Sequence, residues 1–185
     1  YALAAIGIVL YGIGVHIQLE LARKGFLRVP EARWRRWLGK PAERRGPIGA
    51  LIADVAGAVS LADASARFAR LRAVETAPFE RDLKVMRTCV GAAPLFGLLG
   101  TVTGMLTTFD ALASGSGGEK TMAMIASGIS EALITTETGL VLALPGLFFQ
   151  YQLARKHERY KAFLAHLENV VTQALHRRLS TGAAA

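Results

Sequence analysis

Ser127-Gly-Ile-Ser-Glu-Ala-Leu-Ile-Thr-Thr-Glu-Thr-Gly-Leu-Val-Leu-Ala-Leu-Pro145 is an apolar run broken by two carboxylates, Glu131 and Glu137. Its apolar surroundings reach from Thr121 to about Gln152. At about 1.5 Å per helical residue that is enough to cross a hydrocarbon layer of about 30 Å, with the end projecting beyond it. An ionisable group at such depth costs several kcal/mol and ordinarily faces a bundle interior or a water-filled path. The run therefore predicts a membrane helix whose acids have work to do there.

Composition agrees. Hydrophobic residues make up 52% of the 185 and charged residues 19%, with a mean hydropathy of +0.33. The apolar residues are clustered, which favours membrane spans over one large buried core. The formal charge of +8 is also unevenly placed: of 22 Lys and Arg, 15 lie between Arg23 and Arg87 and six between Arg155 and Arg178. That alternation is what the positive-inside rule gives for cytoplasmic segments between spans. No basic stripe interleaved with aromatics occurs, so nucleic acid is not expected as a partner; anionic membrane lipids are. The lone Cys89 excludes an internal disulfide and reads as a small buried hydrophobe. His16, His157, His166 and His176 have no ligand spacing, so neither metal nor cofactor is expected.

Working outward, the pattern predicts an all-α integral membrane protein with three transmembrane helices, extended into a cytoplasmic helical bundle. The first span covers residues 1–22 and ends at Arg23 and Lys24. The chain opens at Tyr1 in apolar sequence, so upstream residues are expected. Residues 23–88 form a cytoplasmic loop, with Trp34 and Trp37 among arginines as an interfacial anchor. Ile48, Leu51, Ile52, Val55, Val59, Ala62 and Ala66 predict one amphipathic helix from Ile48 to about Glu75. A second helix starts near Ala77 or Pro78 and enters the second span, 89–112, where Pro94 predicts a kink. Residues 113–120 are a short turn outside the cytoplasm, 121–152 the third span, 153–180 a cytoplasmic amphipathic helix, and 181–185 a disordered end. The N-terminus is then outside the cytoplasm and the C-terminus within it.

Gly97, Gly100, Thr101, Gly104 and Thr108 share one face of the second span; Gly128, Glu131, Thr135, Gly139, Leu142 and Gly146 form a stripe on the third. Small residues let backbones approach where lipid supplies no hydrophobic drive, and hydroxyls bond across the gap. Plain helix packing explains any one of the glycines. The hydroxyls of Thr101, Thr135 and Thr136 beside Glu131 also suit a polar path. For Glu131 two roles stand open: a protonated carboxyl that holds subunits together, or a proton-exchanging, gating group. Glu137 lies about 240° round the helix from Glu131, so the two do not face one lumen together.

Ala93-Pro-Leu-Phe-Gly-Leu-Leu-Gly-Thr-Val-Thr-Gly-Met105, with Ser127-Gly-Ile-Ser-Glu-Ala-Leu-Ile-Thr-Thr136 and Gly139-Leu-Val-Leu-Ala-Leu-Pro145, closely resembles the MotA/TolQ/ExbB proton-channel family. The resemblance covers roughly residues 75–175 and is nearest to the ExbB and TolQ branch. It implies a ring-forming inner-membrane motor subunit, not an enzyme. It implies a homopentamer around the transmembrane helices of an ExbD- or TolR-like partner. Proton flow would drive movement passed to a periplasm-spanning protein such as TonB or TolA, energising outer-membrane transport or envelope maintenance. By motif, Thr101 matches a pore-lining hydroxyl, Glu131 the membrane glutamate, and Thr136 the pore-facing threonine five residues later. Position 137 is commonly small or apolar in the better-known members, and here it is Glu.

Two rivals come from other classes. The Gly-Ser-Gly piece at 115–117 superficially suggests a serine nucleophile, but no histidine occurs in the second or third span to act as base. A passive scaffold that only holds partner helices is the other. Loss of the Glu131 carboxyl separates it from a proton-coupled machine.

Overall fold

The computed structural model describes residues 1–25, 29–114 and 118–182. Among them the chain is helical, without a strand: α1 is Ala2–Lys24, α2 Glu31–Gly39, α3 Gly46–Ala56, α4 Leu61–Ala113 and α5 Glu119–Gly182, with a 3₁₀ turn at Pro41–Glu43. The helices α1, α4 and α5 are each long and apolar enough to cross a membrane. The chain divides into an apolar unit, residues 1–15 and 82–152, and a charged unit, residues 16–81 and 153 onward.

The apolar unit is built inside out. In each of the three apolar windows only 22% of residues are buried. Leu10, Met86, Val90, Ala93, Ala111, Ala132 and Ala143 form its interior, whereas Leu95, Leu99, Leu106, Phe109, Leu144 and Phe148 are exposed. Small interior residues and large exterior ones are the arrangement expected where lipid is the solvent. The α4 helix continues through Pro94, and α5 through Pro145. Cys89 is half-buried and free, less enclosed than its sequence setting predicts.

The charged unit has an ordinary core. On α5 the buried residues Leu153, His157, Tyr160, Leu164, Leu167 and Val171 recur at alternating steps of four and three, the spacing of a coiled-coil seam. Ala64, Phe68, Leu71 and Phe79 of α4 and Ile17 and Leu21 of α1 are buried in the same unit, Phe79 against His157. Glu75 gathers the three long helices: its Oε2 accepts from Lys24 of α1 and from Tyr160 Oη of α5, the latter at 2.6 Å. Burial, then the Glu75 carboxylate, pushes the Tyr160 phenol up, so it remains a donor.

Several expectations are corrected here. Trp34 and Trp37 are core residues, not interfacial anchors: they are 2% and 7% exposed. Trp34 meets the rings of Phe163 and His166 edge-on at 6.1 and 5.6 Å. The reason is the amphipathic pattern of α2, which turns both indoles inward and leaves Arg33, Arg35 and Arg36 exposed. The helix expected from Ile48 to Glu75 is two helices. Ser60 Oγ accepts from the Asp63 N–H, and Asp63 Oδ2 from the Val59 N–H, both at 3.1 Å. This reciprocal cap starts α4 afresh. No break follows at Pro78, because Pro78 and Val74, whose carbonyl it leaves without a helical partner, are both exposed to solvent. The end expected to be disordered from residue 181 begins within α5, which runs to Gly182; residues 183–185 lie outside the described residues. So does the 115–117 piece of the expected 113–120 turn.

Two outcomes follow from this core. Trp34→Ala removes an indole from a filled site and costs about 3–5 kcal/mol; hydrogen exchange should show lost protection in α2 and the facing part of α5. His157 is 2% exposed, packs against Phe79 with ring centroids 5.8 Å apart, and its Nε2 has no hydrogen-bond partner among the described residues. Burial, with Lys161 nearby, pushes its imidazole below the ordinary value of 6.5. The unfolded chain takes up that proton more readily than the folded one. Stability is therefore full above 6.5 and falls as pH drops through it toward the lowered folded value. The chain's two Trp, both buried in this unit, report its unfolding by fluorescence. The urea midpoint should drop between about pH 7.5 and about pH 5.5, and by less in His157→Leu.

Candidate functional site

In the apolar unit α4 and α5 run antiparallel with their backbones nearly touching. Gly139 faces Ala93 and Gly97, Thr135 faces Gly100, and Gly128 faces Gly104 and Thr108. A Cβ on Gly104 would stand 2.7 Å from the Gly128 carbonyl oxygen and 2.8 Å from Ala132 Cβ. One on Gly139 would stand 2.8 Å from the Ala93 carbonyl oxygen, and one on Gly100 2.2 Å from Thr135 Oγ1. Atoms that are not bonded do not approach so closely, so the seam exists only where these side chains are hydrogen.

The threonines divide by what their hydroxyls do. Thr136 Oγ1 donates across the seam to the Gly97 carbonyl at 3.2 Å. Thr135 donates within α5 to Ala132 at 2.9 Å, and Thr101 within α4 to Leu98 at 2.6 Å. Thr103, Thr107, Thr108 and Thr138 likewise donate to carbonyls three or four residues back. Each hydroxyl proton is thus committed to the backbone, and what remains outward is lone-pair acceptor capacity.

Glu131 and Glu137 stand off the seam. Both are exposed on α5, and neither has a hydrogen bond or ion pair among the described residues. Thr101, Thr135 and Thr136 are half-buried. The fold therefore brings Thr135 and Thr136 together with Gly97 and Gly100, but leaves both acids without an internal partner. Among the described residues no group of three His, Cys, Asp or Glu is placed to hold a metal.

Residues from α1 complete the unit, and sequence reading passed them over. Gly7 lies against Leu142 and Gly14 against Phe149 and Met86. Leu10 packs over Gly146, and Tyr11 Oη donates to the Leu142 carbonyl at 3.2 Å. The spacing of Gly7 and Gly14, two turns apart on one face, is the signal that points to this contact.

A sequence model of the MotA/TolQ/ExbB proton channel family matches residues 61–166, which hold all of α4 and most of α5. The chain belongs to that family. Among its relatives, the ExbB-like biopolymer transport protein 1 of Synechocystis sp. is 46% identical over 84 residues, 45% of this chain and 30% of that one. The Tol-Pal system protein TolQ of Pseudomonas aeruginosa is 32% identical over 111 residues, 58% of this chain and 46% of its own. The biopolymer transport protein ExbB of Salmonella typhimurium is 36% identical over 97 residues, 52% of this chain and 39% of its own. This family member thus spans less than half the length of these relatives. The matched part contains the seam, both acids and every threonine singled out above.

The seam makes a sharp prediction for mutants. In Gly104→Ala or Gly139→Ala the new methyl meets a backbone oxygen that has nowhere to go, and overpacking costs about 1–3 kcal/mol. Gly12→Ala is the control, since nothing lies within 4 Å of a Cβ there. Fluorescence-detected gel filtration after graded heating should show the seam variants lost at lower temperature, with Gly12→Ala matching the parent.

Proposed function

We propose that this chain is the ring-forming subunit of a proton-driven motor in a bacterial inner membrane, of ExbB type. In this reading copies assemble as a homopentamer around the single transmembrane helices of an ExbD-like partner. Proton flow is converted there to movement that a TonB-like protein carries to the outer membrane. The observation that carries the reading is the family match over α4 and α5, together with the Glu131 carboxyl in an apolar span with no partner inside its own chain. Thr101, Thr135 and Thr136 serve as the pore-lining hydroxyls of that path, and Gly97, Gly100, Gly104, Gly128 and Gly139 keep the seam closed. The charged unit lies in the cytoplasm and the N-terminus in the periplasm, in keeping with the arginine distribution.

Energetically the proposal is modest. One charge moved through about 100 mV releases about 2.3 kcal/mol, comparable to repacking a helix contact. A carboxyl that faces away from its own fold is available to a partner helix or to water in the way such coupling requires. The similarity to TolQ of Pseudomonas aeruginosa supports a second reading of the same machine, with a TolR-like partner and a TolA-like protein serving envelope maintenance.

Glu131→Gln tests the reading in cells that also carry the partner chain. Energised uptake across the outer membrane should fall by on the order of a hundredfold, with the protein still present in the membrane. Wild-type uptake in that variant speaks for a passive scaffold. Deletion of the gene separates the two types. Loss of energised uptake identifies the ExbB type, and detergent sensitivity with normal uptake the TolQ type. Native mass spectrometry of the solubilised complex should give five copies of this chain.

A further inference from the structure

We infer that His157 is a proton-sensing switch between α4 and α5, which takes up a proton as the cytoplasm acidifies and slows the motor by loosening the contact between the two helices. The inference rests on the motor proposed above and adds a regulation to it.

His157 belongs to the buried stripe of α5 in the charged unit, 2% exposed, with its ring against Phe79 of α4. The Thr76 carbonyl accepts a hydrogen bond from the imidazole, and the ring nitrogen without a partner among the described residues is Nε2. A carbonyl only accepts, so Nδ1 carries the proton of the neutral ring and Nε2 holds a bare lone pair. In that form the ring suits an apolar contact. A proton arriving at Nε2 creates a charged N–H that nothing in the closed contact accepts, and an unpaired buried charge is costly. The ring must then leave the contact, or the helices must part.

Acceptors for the charged ring stand at the edge of the same contact. Lys161, one turn further along α5, bridges Glu80 of α4 at 3.1 Å and Glu158 of α5 at 3.2 Å. Burial lowers the proton affinity of His157 most and Lys161 next, whereas Glu158 and Glu80 raise it. Lys24 of α1 and Tyr160 of α5 are engaged instead with Glu75 of α4. The Lys161 bridge is open to solvent, where ion pairs are weakly held and easily exchanged. One cluster thus has two arrangements. With neutral His157, Lys161 spans the carboxylates and α4 lies closed on α5. With the imidazolium, the ring turns out to Glu80 and Glu158, and Lys161 gives way to water. The step moves one proton from water to Nε2 and breaks no other bond.

The ring freed into water regains the ordinary value of 6.5, above that of the closed form. The closed form is therefore intact above 6.5. Each pH unit below shifts the balance toward the open form by up to about tenfold, until the lowered value is passed. The same two helices make the glycine seam, which gives the switch its purchase on the motor. A machine that admits protons to the cytoplasm is then slowed by their accumulation.

The complete complex in vesicles, with its cytoplasmic face turned to the buffer, tests this under an imposed potential. Lowering the buffer from about pH 7.5 to about pH 5.5 should slow proton flux about threefold or more beyond the fall seen in His157→Leu. The two proteins should agree at the higher pH. Hydrogen exchange, corrected for its intrinsic pH dependence, should show protection lost around His157 on α4 and α5 over that range in the parent alone. Glu80→Gln should move the midpoint to lower pH and Lys161→Gln to higher pH, opposite shifts that a packing defect does not produce. An unchanged pH response in His157→Leu, or midpoints that both charge variants leave in place, overturns the inference. Normal flux without a His157-dependent response removes only the switch. Exchange that follows His157 in a complex carrying no proton flux removes the proton-driven reading, and with it the brake, while the helix contact still senses pH.

Discussion

Two helices that meet backbone to backbone constrain everything else in the apolar unit. With hydrogen in place of a side chain at Gly97, Gly100, Gly104, Gly128 and Gly139, α4 and α5 approach until carbonyl oxygens and Cα atoms are in contact. That closeness fixes the register between the two helices, since a shift of one residue would drive a methyl or larger group into a backbone oxygen. Once the register is set, Thr136 reaches the Gly97 carbonyl and the remaining faces of α4 and α5 have only one way to point. In lipid no hydrophobic force favours this contact, so van der Waals fit and a crossing hydroxyl must supply it.

The charged unit follows a different rule. Its core is large and aromatic, filled by Trp34, Phe68, Phe79 and Tyr160, and the Glu75 carboxylate ties α1, α4 and α5 within it. Water drives that packing, and the buried phenol and partly buried lysine converge on one acceptor that would otherwise cost dearly to desolvate. The same two helices, α4 and α5, thus change from small-residue packing to large-residue packing along their length. The change in side-chain size marks the change of solvent.

Function then resides in what the folding leaves over. Within the apolar unit the protons of Thr101, Thr135 and Thr136 are committed to carbonyls, and Gly97, Gly100, Gly104, Gly128 and Gly139 to the seam. Glu131 and Glu137 lie within the apolar run of α5 and have no partner among the described residues. A fold that holds its acids out toward neighbours, rather than pairing them within, is suited to act only as part of an assembly.

Much of this was legible in the sequence, because hydropathy and helical period are one-dimensional properties. The three apolar helices, the glycine stripes and the unusual acids follow from residue type and spacing alone, and the paired motifs around Gly97–Thr103 and Glu131–Thr136 pointed to the family. What the tertiary structure decided depends on which partner a side chain finds. Trp34 and Trp37 look like membrane anchors beside arginines until Phe163 and His166 enclose the first of them. Pro78 looks like a helix start, until the exposure of Val74 and Pro78 removes any reason to break. The meeting of Lys24, Glu75 and Tyr160 joins residues as far as 136 positions apart in number, and no local pattern announces it. Sequence periodicity says which face of a helix is apolar; only packing in three dimensions says what that face touches.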